Sequence, residues 1–533
     1  MALNKRSWFF IFPLSVFAVL IFLSVVFYHE RLLVDSGYYL MRVINSRLPW
    51  VEHQRFILIL SQVLPVIGVN LVVPLKTVLL LYSLNHVLFP LLIFFFSFFI
   101  FRNQFSGIML ILLQVAGLVT GFLVPMFELY YAAALLVLFA SVLYSGCLNK
   151  YHYLLLIVIA FFVTSSHPVG IALLIMVIVF HSSVYGLKYL KFYAFIGLVI
   201  LGFLLLKYLH ASSYESGKAN SIVQEFISGK FNLSFFMHLA GFLFQYYWAL
   251  IIMALGMIIQ MIRQRKFKIM AIYLISIVVF IILSALNTGN FEWSRYNEQV
   301  WFPLGFVVLF PLMTGLFSEV KQFTATILLF VLLVFTAFRL LLIYENAAIY
   351  RQRTVQLSNI TRYVQATGAD KFVVDERNLA DTLTPGANWS YPIESMFFSA
   401  ETGPEHTVTI CTLEDYTFQD LYMELTDSSY VFWRINTAPD GSLNPHYFTL
   451  HSNAYVMLNN DSAPELISDS VTQQVLLKQE VDKSMTFAAG EWVRVWSVIV
   501  NRSPSVLFSG RKSGFFMTYE WKGVTTETAL NTP

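Results

Sequence analysis

Runs of about 20 apolar residues recur along the first 345 positions of this chain, and no other feature restricts its fold as strongly. A run of that length crosses a hydrocarbon layer as one α-helix, the conformation that pairs every backbone N–H and C=O where no water can. The composition agrees. Only 12% of residues are charged, against about 25% in soluble chains, while 57% are hydrophobic and the mean hydropathy is +0.67. The period-two alternation of membrane β-strands is missing from this region. The expected fold class is therefore a polytopic α-helical membrane protein of about 11 transmembrane helices, near 7–28, 73–101, 106–126, 129–146, 152–166, 169–187, 192–209, 235–262, 269–287, 299–317 and 322–343. Ser7–Tyr28 is too long for a signal-peptide core and lacks a small-residue cleavage site, so it reads as a retained first helix.

The net charge of +3 conceals two opposed parts. Through Tyr344 there are 21 Lys and Arg against 9 Asp and Glu; from Glu345 onward there are 13 against 22. A basic, apolar part followed by an acidic, polar one sets a domain boundary near 345, with a transmembrane domain over 1–344 and a soluble domain over 345–533. Lys and Arg favour cytoplasmic loops. Alternate loops carry Lys5, Arg6, Arg102, Lys150, Lys188, Lys191, Arg263, Arg265, Lys266, Lys268 and Lys321 against one acid, Glu319. The expected topology has a cytoplasmic N-terminus and, after an odd number of spans, an extracytoplasmic C-terminal domain in an inner-membrane protein. Cys147 and Cys411 then lie on opposite sides, which excludes a disulfide between them. No basic patch with interleaved aromatics points to nucleic acid.

The first outer loop, 29–72, reads as two helices in the membrane plane, one over Ser36–Trp50 and one over 56–72, joined by Glu52-His53-Gln54-Arg55. The run 152–166 ends at Ser165-Ser166-His167-Pro168, either as a short helix stopping inside the outer leaflet or as an ordinary tight turn. Eight of the nine acids before residue 345 fall on the outer side: Glu30, Asp35, Glu52, Glu128, Glu215, Glu225, Glu292 and Glu298. The rule for basic residues does not dictate this, and carboxyl groups at membrane helix ends cost desolvation unless paired or used. A water-filled cavity opening outward accounts for the collection.

Asp35, in Leu33-Val34-Asp35-Ser36-Gly37, is a candidate general base, with a helix N-cap as its structural alternative. Glu128 opens a helix, where an acid also suits the helix dipole. His167 before Pro168 is suited to meet a phosphate or simply to hold a turn. Arg295, in Asn290–Glu298, has the forked donor set for a phosphate or for pairing with Glu292 or Glu298. Asn85 and His86 lie within a span, as functional groups or as hydrogen bonds between helices.

Together these residues resemble the GT-C superfamily of polyprenyl-phosphate-sugar-dependent glycosyltransferases, whose relatives of this shape include bacterial protein O-mannosyltransferases and lipid A aminoarabinose transferases. The resemblance is one of layout over roughly 7–345. It comprises an acid in the first outer loop (Asp35), two interfacial helices, an acid opening the fourth helix (Glu128) and a His-Pro at an outer helix end (His167-Pro168). It implies that Asp35 is the catalytic base, with Arg55, His167 and Arg295 holding the lipid phosphate and Glu128 beside them in the substrate site. The donor is then a polyprenyl-phosphate-linked sugar drawn from the membrane, and the acceptor a glycan, lipid or protein. Many members carry an Asp-Glu pair where this chain has Asp35-Ser36. No nucleotide is required, in keeping with the missing Gly-rich phosphate loop, and a divalent metal is the one cofactor to consider.

Beyond 345, strands are expected at Lys371–Val374, Thr407–Cys411, Tyr430–Arg434, Tyr447–Tyr455, Gln473–Lys478 and Val493–Val500, with helices near Glu394–Ala400 and Phe418–Leu425. This is a small α/β unit passing into a β-rich end, a surface open to protein partners. Asn388-Trp389-Ser390-Tyr391-Pro392 could stack on a sugar or pack into its own domain. Asp381-Thr382-Leu383, Asp461-Ser462-Ala463 and Asp469-Ser470-Val471 resemble O-glycosylation sites of exported Bacteroidota proteins. Two further readings compete with a transferase: a non-catalytic component of an envelope or secretion assembly that docks through 345–533, and a lipid carrier, for which inverted repeats and broken helices are the pointers.

Overall fold

The computed structural model describes residues 5–116, 119–125, 128–146, 148–210, 217, 232–288, 291, 295–314, 322–374, 388–412, 430–433, 436–439, 442–451, 455–457, 475–479 and 497–501. The chain divides into two units, Met1–Arg351 and Gln352–Pro533. The first is helical, in the order α1 (Lys5–Val26), α2 (Asp35–Ser46), α3 (Leu58–Ser61), α4 (Val63–Asn70), α5 (Leu75–Phe95), α6 (Ser106–Val115), α7 (Glu128–Leu143), α8 (Lys150–Thr164), α9 (Pro168–Tyr185), α10 (Leu190–Leu209), α11 (Leu233–Tyr246), α12 (Trp248–Arg263), α13 (Phe267–Asn287), α14 (Arg295–Trp301) and α15 (Leu304–Met313). A long helix, α16 (Gln322–Gln365), carries the chain onward.

Among the described residues, five helical stretches are long and apolar enough to cross a membrane: Ser7–Val26, Leu75–Ile100, Pro168–Leu209, Phe267–Asn287 and Phe330–Gln365. The pair α11 and α12, bent by 93°, makes a sixth if it is one span. Only 17% of the Pro168–Leu209 window is buried, and Leu198 and Leu201 are each 63% exposed. So broad an apolar surface is foreign to a monomer in water and suits a lipid solvent.

Each of the eleven apolar runs is at least partly helical, but several are shorter than expected. Among the described residues, only Ser106–Val115 of 106–126 is α-helix, and 299–317 is divided between the last residues of α14 and Leu304–Met313; α7 and α8 also fall short of a full span. Hydropathy counts apolar residues and does not register a backbone break such as the turn at Gly121–Leu123 or the bend at Tyr247.

Caps and aromatic contacts set the directions of the helices. Asn149 begins α8 with a capping box: its Oδ1 accepts from the N–H groups of Tyr151 and His152, both at 3.0 Å. His167, extended at φ −150° and ψ 151°, caps α9 with Pro168 in the first turn, so α8 and α9 are separate helices. Tyr153 meets Phe192 at 5.5 Å and Phe161 meets Phe203 at 6.3 Å, so α10 runs parallel to α8. Pro168–Leu209 is therefore a hairpin, turning at Gly186, whose φ of +64° suits glycine.

Tracing these contacts sorts the charges. Phe9 against Phe105 (5.2 Å), Phe101 against His152 (5.6 Å) and Tyr144 against His181 (5.1 Å) and Phe310 (6.2 Å) bring Arg102, Lys150, Lys188 and Lys191 to one end of the bundle. Tyr273 donates to the Val308 carbonyl and Phe280 meets Trp301, which brings the start of α13, next to Arg263–Lys268, to that same end. The first loop, Glu128 and His167 lie at the other. That loop holds two helical segments as expected, the second broken at Gln62. The Gln62 side chain accepts from the N–H of Trp50 at 2.6 Å and donates to its carbonyl at 2.8 Å, tying the segments together.

In the second unit, β1 (Lys371–Val374) pairs in parallel with β2 (Thr409–Thr412) and β5 (Val456–Met457), in the order β2-β1-β5. A helix, α17 (Tyr391–Ala400), lies between β1 and β2 in the chain and packs on β2. The tail of α16 presents Leu357, Ile360 and Val364, at helical spacing, to Phe372, Val374, Tyr391, Val408 and Ile410. Tyr391 thus belongs to the core rather than to a sugar platform, while Trp389 is half-buried. Two antiparallel pairs complete the described part: β3 (Tyr430–Trp433) with β4 (Asn436–Pro439), and β6 (Val475–Gln479) with β7 (Ser497–Asn501).

The strand expected at Tyr447–Tyr455 is not formed over its described residues, Tyr447–His451 and Tyr455. Asn444 begins a turn there, its carbonyl accepting from the N–H groups of Tyr447 and Phe448, and the described pairing with β1 is at Val456 and Met457. The local turn satisfies the backbone that a ladder would otherwise have used. The helix expected at Phe418–Leu425, the strand residues Trp492–Trp496, Cys147 and the three Asp-Ser/Thr tripeptides lie outside the described residues.

Candidate functional site

Asp35 is the first residue of α2, one turn before Tyr38 and Tyr39. The N-cap position falls to Val34, so the cap role considered for Asp35 is not the one it occupies. Val34 is buried at φ +49° and ψ −122°, a conformation that costs a β-branched residue about 1–3 kcal/mol. The strain fixes the direction in which α2 leaves the preceding turn, Glu30–Leu32. Asp35 itself is half-buried.

Helical spacing then sets Tyr38, Tyr39 and Arg42 toward Glu52. Tyr38 donates to Glu52 Oε1 at 2.6 Å, Tyr39 to Oε2 at 3.1 Å and the Trp50 indole to Oε1 at 3.0 Å. The Arg42 guanidinium lies over the rings of Tyr38 and Trp50, 5.1 and 4.9 Å from their centres. Partial burial pushes the Glu52 carboxyl up, but the donors Tyr38, Trp50 and Tyr39 outweigh it and hold Glu52 below the usual carboxylate range. Desolvation first, then the bond to Glu52, pushes the Tyr38 phenol up to about 12.

Tyr39 is the hub. Glu52, Glu128, Asp35 and Arg55 all act electrostatically on its hydroxyl, so these four groups from three segments share one neighbourhood. Arg55 donates to Glu128 at 2.5 Å, each side chain 14% exposed. His167 lies within electrostatic reach of Glu128. Its Nδ1 accepts from the Val169 N–H at 3.2 Å, so the neutral ring carries its proton on Nε2. His167 is thus both a turn holder and a member of the cluster. Arg295 opens α14 on its backbone, and its side chain lies outside the described atoms, as do Glu215, Glu225 and Glu292. Asn85 and His86 join helices: Asn85 donates to the Leu60 carbonyl at 2.9 Å and to the Tyr131 hydroxyl at 3.1 Å, and His86 Nδ1 lies 2.6 Å from that hydroxyl.

A second group of charges grips the chain between α6 and α7. Arg339 donates to the Val115 carbonyl at 2.7 Å. Glu298 accepts from the N–H groups of Val119 (3.0 Å), Thr120 (3.1 Å) and Gly121 (2.6 Å). Arg31, fully buried, donates to the Phe122 carbonyl at 2.5 Å and stacks on the Phe122 ring at 4.1 Å. Burial lowers Arg31 to about 10, leaving it cationic at neutral pH. Burial pushes Glu298 up to about 7 against the three amides and Arg339, which pull it down. Glu30, also buried, is pushed up by desolvation.

Arg339 lines a cavity of about 370 Å³ at the bend between α11 and α12, with Gln245 and Asn346 as polar neighbours and Trp248, Phe338 and Leu342 among its apolar walls. Tyr344, on the next turn, packs on Phe27 at 5.9 Å, so the cavity lies toward the carboxylate end. The sequence does hold a signal for it: Arg339 is a lone cation within the apolar run 322–343. Arg31, Tyr38 and Tyr39 carry no such signal. Among the described residues no three His, Cys, Asp or Glu side chains gather as metal ligands. Comparison with family models, with curated proteins and with solved structures finds no match of the chain to any of them.

Proposed function

We propose that the chain is a membrane-embedded, GT-C-type glycosyltransferase acting at the extracytoplasmic face on a polyprenyl-phosphate-linked sugar. In this reading all eleven apolar runs are membrane elements, the basic end of the bundle is cytoplasmic and the unit from Gln352 is extracytoplasmic. The observation that carries it is the gathering of Asp35, Glu52, Arg55 and Glu128 around the Tyr39 hydroxyl, with His167 beside Glu128. Four ionisable groups from three segments come together there, with Glu52 and Glu128 desolvated, an arrangement whose cost is offset by use.

The lipid phosphate lies against Arg339, its tail along the apolar walls of the 370 Å³ cavity. Asp35 takes the proton of the acceptor hydroxyl as that oxygen attacks the anomeric carbon. The bond from that carbon to the phosphate oxygen breaks, and negative charge develops on the departing phosphate, where a preorganised cation stabilises it. Arg55 is committed to Glu128, so its role shifts from holding phosphate to positioning that carboxylate.

Membranes carrying the full chain, supplied with lipid-linked sugars extracted from the native host, test the reading by mass spectrometry of the free polyprenyl phosphate released. Asp35→Asn is expected to lower release by about 100-fold or more with membrane insertion unchanged; full release would overturn the role of Asp35. The bend at Tyr247 supports a rival, a lipid carrier with a broken span. A carrier moves the lipid-linked sugar intact and releases no free polyprenyl phosphate.

A further inference from the structure

At the end of the bundle opposite the carboxylates, the hairpin turn Gly186–Tyr189 and the start of α10 meet α8 around an open groove of about 610 Å³. Tyr153, Ile157, Phe192 and Phe195 line it, and Lys188 and Lys191 stand beside them, both exposed. No Asp or Glu occurs anywhere between Glu128 and Glu215, so α8, α9, α10 and the connections between them offer these lysines no carboxylate. The apolar surface continues outward through Leu187 (72% exposed), Leu190 (54%) and Phe195 (47%).

Two cations with no counter-charge among the described residues of this groove, above an aromatic wall that runs into lipid-facing leucines, call for a ligand with an anionic head and an apolar body. We propose that this groove binds an anionic glycerophospholipid, its phosphate between Lys188 and Lys191 and an acyl chain along Phe192 and Phe195. Lysine stems lie along apolar surface while their ammonium groups reach the headgroup layer, and basic pockets between helices near a membrane surface select such heads. The aromatic residues suit the same depth. The proposal does not depend on the transferase reading, because no residue of the carboxylate cluster takes part.

The test is native mass spectrometry of the full chain from mixed micelles containing phosphatidylglycerol and phosphatidylcholine in equal amounts. The wild type is expected to retain phosphatidylglycerol preferentially. Each lysine contributes about five-fold to that preference, so Lys188→Gln lowers it about five-fold and the double variant with Lys191→Gln about 25-fold. Lys188→Arg with Lys191→Arg keeps it, which separates lost charge from lost folding. Lys150→Gln, at the same end but outside the groove, leaves it within two-fold, on the order of experimental scatter beside the per-lysine effect. An unchanged preference in the double glutamine variant, an equal fall in Lys150→Gln, or displacement of the lipid by inorganic phosphate would overturn the proposal.

Discussion

Two arginine–glutamate pairs, one in each unit, look alike on paper and differ in what surrounds them. Arg353 and Glu394 are each 2% exposed; Ser390 donates to the same carboxylate, and the guanidinium lies 4.3 Å from the centre of the Tyr391 ring. Ser390 and Tyr391 are themselves buried within the second unit. Arg55 and Glu128 are each 14% exposed, and further ionisable groups share their surroundings: His167 acts on Glu128, and Asp35 and Glu52 act with the pair on the Tyr39 hydroxyl. A sealed pair holds a core together, whereas a pair left slightly open among other charges is available to chemistry. Burial and company, rather than the pairing itself, separate structure from site.

The strongest way to break that contrast is to remove one partner of the sealed pair. Arg353→Met leaves Glu394 buried without its cation and is expected to destabilise the second unit by about 3–5 kcal/mol. Hydrogen exchange should accelerate through Leu357–Val364 and β2 while α7 to α9 keep their protection. Unchanged protection of β2 would show that the pair is not what seals this core.

Next in size is Glu298, which ties the two kinds of burial together, being fully enclosed yet next to the cavity of Arg339. Its folded-state pKa of about 7 lies above the 4.5 of an unfolded glutamate. The folded chain therefore binds the extra proton between these values. The associated stability is complete below about 4.5 and is lost as pH rises through about 7, a change of about 3 kcal/mol. Glu298→Gln should flatten the pH dependence of unfolding across that window; an identical slope in the variant would refute the assignment.

For the open pair, Arg55→Met is expected to lower sugar release about 100-fold while costing only about 1–2 kcal/mol of stability, less than the sealed pair because water reaches both groups. A loss of stability as large as that of Arg353→Met, with release unaffected, would erase the distinction between the pairs.

How much of this was legible in the sequence follows from the same physics. The apolar runs were, each at least partly helical, and so was part of the carboxylate end: Glu30, Asp35, Glu52, Glu128 and Glu298 lie at one end of the bundle, while Glu215, Glu225 and Glu292 lie outside the described residues. The first loop was read as two helical segments, and α2 and the broken pair of α3 and α4 are there. The clamp of Arg31, Glu298 and Arg339 on the chain between Val115 and Phe122 was not, because its partners are backbone groups 91 to 224 residues away in sequence and carry no side-chain pattern. Tyr38 and Tyr39 escaped notice as carboxylate donors because aromatic residues on an amphipathic helix read first as membrane-facing. The turn at Asn444 displaced a predicted strand because a local hydrogen bond competed with a distant ladder.

The smallest effect is the most discriminating. His167 caps α9 through Nδ1 and lies near Glu128, so replacement by alanine removes two roles at once. Asparagine separates them, since its side-chain oxygen caps a helix as well as any residue does but it has no imidazole Nε2 to offer. His167→Ala should cost about 1 kcal/mol of stability through the lost cap, and His167→Asn only a few tenths, on the order of experimental error. If the ring acts on substrate, both variants lose sugar release to the same extent despite their unequal stability. If release follows stability instead, with asparagine active and alanine impaired, His167 belongs with the sealed pair as a structural device, and the open cluster narrows to Asp35, Glu52, Arg55 and Glu128.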